Sequence, residues 1–224
     1  MQLSVRDVAK LLNVNEKTVY RWVQSGNLPA YRLNNHYRFN RAELLEWATS
    51  HKVNFSIDIL QEFESQSMPP AGLSEALMAG SIHYRVGGTN KESALAAVVE
   101  LMRLPEEVDK KFLLQVLLAR EAMASTGIGD GIAIPHVRNP IVLHVPGPMA
   151  TLCFLEKPID FAALDNKPVN CLFTLVSPTV RAHLYLLSRL AFALRDTGFK
   201  DVITRQGTRE EILAEVCRVE KDVK

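Results

Sequence analysis

The sequence predicts a two-domain chain: a small winged helix-turn-helix head, then an α/β layered domain with a mixed sheet flanked by helices. Three observations lead there. Two short amphipathic helices separated by a brief turn open the chain, and an alternating hairpin-like stretch follows them. From residue 73 onward, apolar strand-like runs alternate with amphipathic helices, the pattern of a layered α/β domain. Between the two lies a polar stretch ending in S-Q-S-M-P-P-A-G, a linker composition stiffened by its double proline. The expected divisions are a head over 1–52, a linker over 53–72 and a body over 73–224.

In the head, Ser4 with Asp7 forms a capping pair for a first helix, whose face carries Val5, Val8 and Leu12. Asn15 caps a second helix that buries Val19, Trp22 and Val23, and Gly26 stops it. Tyr31 and Leu33 then alternate with Arg32, Asn34-Asn35 suits a tight turn, and Tyr37 and Phe39 return around Arg38. Asn40 with Glu43 opens a third helix. Trp22 and Phe39 read as core. The second helix keeps a face that the core does not need, made of Lys17, Thr18, Tyr20, Arg21 and Gln24. Side chains of this type reach phosphates and base edges when a helix enters a major groove.

Charge points the same way. The chain carries a net charge of only +1. Residues 1–52 hold eight Lys/Arg against four Asp/Glu, and the remainder is mildly acidic. A basic head on an acidic body fits a nucleic-acid-binding appendage.

The body begins with a short helix over 73–78, ended by Gly80, and a strand over 82–86. Thr89 with Glu92 offers a capping box for an Ala/Val-rich helix to about Arg103, where Pro105 intervenes. A second helix runs from Asp109 to Met123, with Phe112, Val116 and Ala119 on one face. Ala150–Leu155 and Val169–Val176 read as strands, the latter apolar enough to be central. Ser177-Pro178-Thr179 starts a long helix with His183 in its first turn, and Thr208 with Glu211 caps a final helix.

Membrane, secretory and disulfide-rich classes are not expected. No apolar run approaches the ~20 residues of a membrane helix. The N-terminus lacks a signal-peptide pattern, and the three cysteines, 153, 171 and 217, have no C-x-x-C spacing. The expected compartment is the cytoplasm, with reduced thiols.

The chemistry concentrates in Ser125–Arg138, S-T-G-I-G-D-G-I-A-I-P-H-V-R. Four roles for His136 can be weighed. A metal ligand needs partners, and neither His183 nor His144 stands at H-x-x-x-H or H-E-x-x-H spacing. A serine triad needs a nucleophile elbow, and no G-x-S-x-G is present. A core histidine belongs in a periodic apolar stripe, whereas this one ends a glycine-rich loop after a proline. The fourth role is a nucleophile that carries a phosphoryl group, since imidazole near neutral pH attacks without a strong base. Such a site needs donors and positive charge around the phosphate, and Arg120 and His183 suit that need. Ser125 and Thr126 either orient the phosphate or cap the preceding helix. His83 and His144 read as structural. The glycines are not a P-loop, because no Lys-Ser/Thr follows them.

Two resemblances sharpen this. Residues 3–49, through S-V-x-x-V-A-K-L-L, T-V-Y-R-W-V, G-N-L-P-A-Y-R-L and H-Y-R-F, resemble the winged helix-turn-helix domain of the excisionase and MerR-like family. That resemblance implies Lys17, Thr18, Tyr20 and Arg21 in the major groove of double-stranded DNA, and Arg32, Asn35, His36 and Arg38 on the wing. His36 also reads as a solvated turn residue. A single head has little area, so tight binding calls for a homodimer.

Residues 73–220 resemble the phosphotransferase-system IIA domain of the fructose/mannitol and nitrogen-regulatory type. The matching motifs are R-E at 120–121, S-T-G-I-G-D-G-I-A-I-P-H at 125–136, P-I-D-F at 158–161, P-V at 168–169, S-P at 177–178 and H-L-Y-L-L at 183–187. The resemblance implies phosphorylation of His136 at Nε2 by a histidine-containing phosphocarrier protein, supported by His183 and Arg120. It calls for no cofactor and no metal. The chain departs from a transport system in showing no IIB-like cysteine loop and no membrane span. The fused head therefore weighs toward transcription regulation. The alternatives are a phosphocarrier that serves a separate IIB protein, and an interaction module that controls a kinase or channel.

Overall fold

The computed structural model describes residues 2–33, 36–51, 53, 71–137 and 145–221. Asn34-Asn35, His144 and nearly all of the expected linker fall outside the described residues. The chain separates into two compact units, Met1–Pro69 and Pro70–Lys224.

The first unit starts with β1 (Gln2–Leu3), α1 (Val5–Leu11) and α2 (Glu16–Gln24). It continues with β2 (Tyr31–Leu33), β3 (His36–Asn40) and α3 (Arg41–Ser50). Ser4 and Asp7 form the reciprocal capping box on α1, and Asn15 Oδ1 accepts from Lys17 N at 2.9 Å to start α2. These side chains satisfy amides that a helix start otherwise leaves unpaired. Gly26, at φ +72°, reverses the chain after α2 without a Cβ penalty. The strands form an antiparallel sheet in the order β1-β3-β2, with Tyr31 opposite Arg38 and Leu3 opposite Phe39. Val8, Leu12, Val19, Phe39, Leu44 and Leu45 form the core. Phe39 is fully buried as expected, whereas Trp22 is half-buried and rests on Trp47, ring centroids 5.1 Å apart.

The second unit runs α4 (Leu73–Ala79), β4 (Ser81–Val86), α5 (Lys91–Leu101) and α6 (Lys110–Met123). Then come β5 (Gly127–Gly129), β6 (Ile132–Ala133), β7 (Met149–Ile159) and β8 (Val169–Val176). Three helices close it: α7 (Val180–Ala193), α8 (Thr197–Thr204) and α9 (Arg209–Lys221). The sheet order is β4-β7-β8-β6-β5. β4 lies parallel to β7 and β6 parallel to β8, while β7/β8 and β5/β6 are antiparallel, so the sheet is mixed.

Both faces of the central strands are buried, which is why β7 and β8 read as nearly continuous apolar runs. Cys153, Leu155, Leu172 and Val176 join Leu95, Val98, Leu113 and Leu117 of α5 and α6 in one core. On the other face, Phe173 meets Phe199 of α8 and Phe154 stacks on Tyr84.

Four local expectations change. The α5 cap is Asn90, whose Oδ1 accepts from Ser93 N at 2.9 Å, and not Thr89 with Glu92; Asn is the better N-cap. The buried stripe of α6 is Leu113, Leu117 and Glu121, with Phe112 40% exposed. Asp196 caps an additional helix, α8, by accepting from Phe199 N at 2.9 Å. The glycine-rich stretch is a β-hairpin, and its turn residues Asp130 and Gly131 have φ of +54° and +76°.

Candidate active site at His136

The β5–β6 hairpin is tied to its surroundings at the turn. Asp130 N donates to Asp165 Oδ2 at 2.8 Å, and Asp130 Oδ2 pairs with Lys200 Nζ at 2.5 Å. Gly129 sits at φ +89°, and a Cβ there would meet Asp165 Oδ2 at 2.9 Å. From this anchor β6 runs along β8, with Ile132 opposite Cys171 and Ala133 opposite Leu172. Pro135 leaves the strand, yet its carbonyl still accepts from Leu175 N at 3.0 Å, and His136 bridges Leu175. The position of His136 is therefore set by β8 on one side and by the hairpin on the other.

β8 also delivers the second histidine. It ends at Val176, and Thr179 Oγ1 accepts from Ala182 N at 3.1 Å to cap α7. His183 follows in the first turn of that helix. The His136 and His183 rings lie 5.2 Å apart, centroid to centroid, at 33°. Forty-seven positions apart in the chain, they meet because both flank the end of β8.

His136 Nδ1 lies 2.7 Å from the Ile134 carbonyl oxygen. A carbonyl has no hydrogen to give, so Nδ1 must carry the proton. In the neutral ring the lone pair then belongs to Nε2. The tautomer is thus set by main chain and not by a mobile side chain, and Nε2 is the ring nitrogen with a lone pair to offer.

The other site residues take different positions. Arg120, in the last turn of α6, donates from Nη1 to the Ala124 carbonyl at 2.9 Å. Ser125 Oγ donates to the Phe161 carbonyl and accepts from Gly127 N at 3.0 Å. Thr126 is buried; its hydroxyl donates to Glu121 Oε2 at 2.6 Å and its amide donates to the same oxygen at 2.9 Å. Both hydroxyl hydrogens thus bond to structural acceptors. Sequence reasoning missed the ion pair behind them, Glu121 Oε1 with Lys91 Nζ at 2.8 Å. No sequence signal marks Glu121, because the apolar run of α6 continues nearly all round and does not reveal which face is buried.

Cysteine chemistry is ruled out for two of the three thiols. Burial pushes the Cys153 thiol up to about 12, and the Cys171 thiol up as well. Both stay protonated and unreactive near neutral pH.

A family profile described as phosphoenolpyruvate-dependent sugar phosphotransferase system, EIIA 2, matches residues 75–218. The chain belongs to this EIIA family. A second profile, described as a helix-turn-helix domain, matches residues 3–52. The nitrogen regulatory protein of Pseudomonas aeruginosa is 34% identical over 152 residues, covering 66% of this chain and 96% of that protein. The fructose-specific EIIA component of Haloferax volcanii is 33% identical over 132 residues, covering 56% of this chain and 84% of that protein. The crystal structure of the nitrogen regulatory protein IIA-Ntr from Neisseria meningitidis superposes with a TM-score of 0.53 at 27% identity, over 64% of this chain and 94% of that one. Among the described residues no helix is long and apolar enough to cross a membrane.

In the helix-turn-helix unit, Lys17, Tyr20 and Arg21 on α2 are exposed, and Thr18 is half-buried. Arg32 and His36 on the β2–β3 wing are exposed and Arg38 is half-buried. Tyr20 packs edge-on against Tyr37 with centroids 6.0 Å apart, which joins α2 to the wing. Asn35 lies outside the described residues.

Proposed function

We propose that His136 accepts a phosphoryl group at Nε2 from a histidine phosphocarrier protein, and that the head binds duplex DNA. Phosphorylation is then a transcriptional signal. The observation that carries the first half is the Nδ1–H bond to the Ile134 carbonyl, which leaves Nε2 as the nucleophile. Relatives with EIIA function in their names, and the family itself, support the reading.

The Nε2 lone pair attacks phosphorus as the donor's N–P bond breaks, and that bond's electrons return to the donor imidazole. The donor leaves as a neutral ring if its other nitrogen holds a proton. The positive charge arrives on the His136 ring, where the Ile134 carbonyl faces Nδ1–H and stabilises it. The transferred group bears negative charge throughout, so the remaining task is electrostatic. His183 donates to the phosphoryl oxygens from a helix N-terminus, which itself favours anions. Arg120 exchanges its bond to the Ala124 carbonyl for a phosphate oxygen. Ser125 and Thr126 hold the loop that carries the histidine.

In the head, Lys17, Thr18, Tyr20 and Arg21 enter the major groove, and Arg32, Asn35, His36 and Arg38 follow the wing along the backbone. The phosphoryl oxygens carry about two negative charges and the ring one positive charge, a net gain of about one negative charge that can alter a partner surface or DNA affinity. The identity of 33% to a fructose-specific EIIA component favours one second reading, relay of the phosphoryl group to a separate IIB protein.

The test uses phosphoenolpyruvate, the phosphocarrier system and the full chain, beside His136→Ala. Acid-labile label on the native chain alone is expected. Duplex binding is then compared with and without phosphate; unchanged affinity and salt dependence would overturn the signalling half. Label retained by His136→Ala would overturn the site.

A further inference from the structure

Lys91 and Glu121 occupy positions that local preference opposes. Glu121 is in the last turn of α6 and Lys91 opens α5. Helix dipoles disfavour an acid at a C-terminus and a cation at an N-terminus. Glu121 is also buried, 6% exposed, below Leu113 and Leu117 on one stripe of its helix. A buried carboxylate is costly unless it is paired and fully hydrogen-bonded. A leucine there would continue the stripe with none of these costs, so helix or core stability does not account for the acid.

Its bonds supply an account. Glu121 Oε1 pairs with Lys91, while Oε2 accepts from both the amide and the hydroxyl of Thr126. Thr126 O accepts from Ile134 N at 3.0 Å. Ile134 O accepts from His136 Nδ1 at 2.7 Å. Lys91 Nζ further lies 5.4 Å from the centre of the Phe161 ring, and the Phe161 carbonyl holds Ser125. One carboxylate thus fixes the residue whose carbonyl sets Ile134, whose carbonyl in turn sets the imidazole.

We propose that Glu121, held by Lys91, is a positioning residue for His136: it places the Ile134 carbonyl and so keeps the proton on Nδ1 and the lone pair on Nε2. The proposal rests on the phosphohistidine reading for its kinetic consequence, but the tautomer itself can be measured without phosphate.

The experiment takes the full chain with 15N-labelled histidine and records two-bond proton–nitrogen spectra of unphosphorylated native, Glu121→Gln and Thr126→Val proteins. Transfer rates from the phosphorylated phosphocarrier are measured alongside. The native His136 should show the Nδ1–H tautomer. In Glu121→Gln the Nε2–H form should gain population, and transfer should slow about tenfold, the lower end of the loss seen when outer partners of metal-ligating histidines are removed. Thr126→Val keeps the amide bond to Glu121 and loses only the hydroxyl, so it should shift both readouts in the same direction by less. If Glu121→Gln does not fold, Thr126→Val decides. A folded variant with a lowered melting temperature but native tautomer and native rate overturns the proposal and leaves Glu121 a structural residue. Absence of phosphorylation in the native chain defeats the phosphohistidine reading instead, and the spectra still judge the positioning claim.

Discussion

Substituting Gly129 by alanine tests whether the hairpin that carries His136 is held as described. Gly129 has φ +89°, and its added Cβ would lie 2.9 Å from Asp165 Oδ2. An L-residue in this region costs roughly 1–2 kcal/mol. The displaced carboxylate also loses its bond from Asp130 N, 2.8 Å in the native chain. A hydrogen bond to a charged, half-buried acceptor contributes about 1.5 kcal/mol. The combined loss is about 2–4 kcal/mol, and for a domain of this size each kcal/mol lowers Tm by about 2–4 °C. Gly129→Ala should therefore lower the body's calorimetric transition by roughly 4–16 °C and slow phosphorylation at temperatures where it remains folded. Gly87→Ala is the control, since nothing lies within 4 Å of its added Cβ, and the transition should stay within about 2 °C. Equal melting of the two variants would refute the strained, anchored hairpin.

Three further outcomes are expected. His183→Ala should keep the fold and reduce phosphoryl transfer about 100-fold, the usual cost of deleting one donor to a developing anion. It is checked by rapid-quench transfer from the phosphocarrier, and loss below about twofold would remove His183 from the site. Asp196 is held below its ordinary value by the Phe199 amide first and by Arg218 second. Its stabilisation is present above the unfolded carboxylate pKa, about 3.9, and disappears as pH falls through the lower folded value. Asp196→Asn should therefore be less stable than the native chain at pH 7, with the gap closing below about pH 4 in denaturant titrations. In the head, Arg21→Ala and Arg38→Ala should each weaken duplex binding and reduce the slope of log affinity against log salt by about one, if each contacts a phosphate. Fluorescence anisotropy across a salt series reads this.

The parts legible in the sequence are those governed by local rules. Capping by Ser4 and Asn15 could be read directly, because a side-chain oxygen two or three residues before a free amide needs no tertiary context. β8 was legible as a central strand because its run is apolar on both faces. His136 stood out through its position after the alternating glycines. The face of α6 was not legible: F-L-L-Q-V-L-L-A is apolar nearly all round, so periodicity cannot choose between Phe112 and Leu113. α8 is not legible because a glycine in its first turn and its β-branched residues weaken any helix signal, leaving Asp196 as the one cue. The pair of Lys91 with Glu121 spans thirty residues and two helices, and only the packing of α5 on α6 brings it about.

His136 is proposed to be phosphorylated at Nε2 because Nδ1 is held by the Ile134 carbonyl. The most direct measurement is nitrogen-15 and phosphorus-31 spectroscopy of the full chain after treatment with phosphoenolpyruvate and the phosphocarrier system. A single phosphohistidine at His136, with the phosphorus coupled to Nε2 and the proton on Nδ1, is expected. Phosphorus coupled to Nδ1, or carried by another residue, would contradict the account.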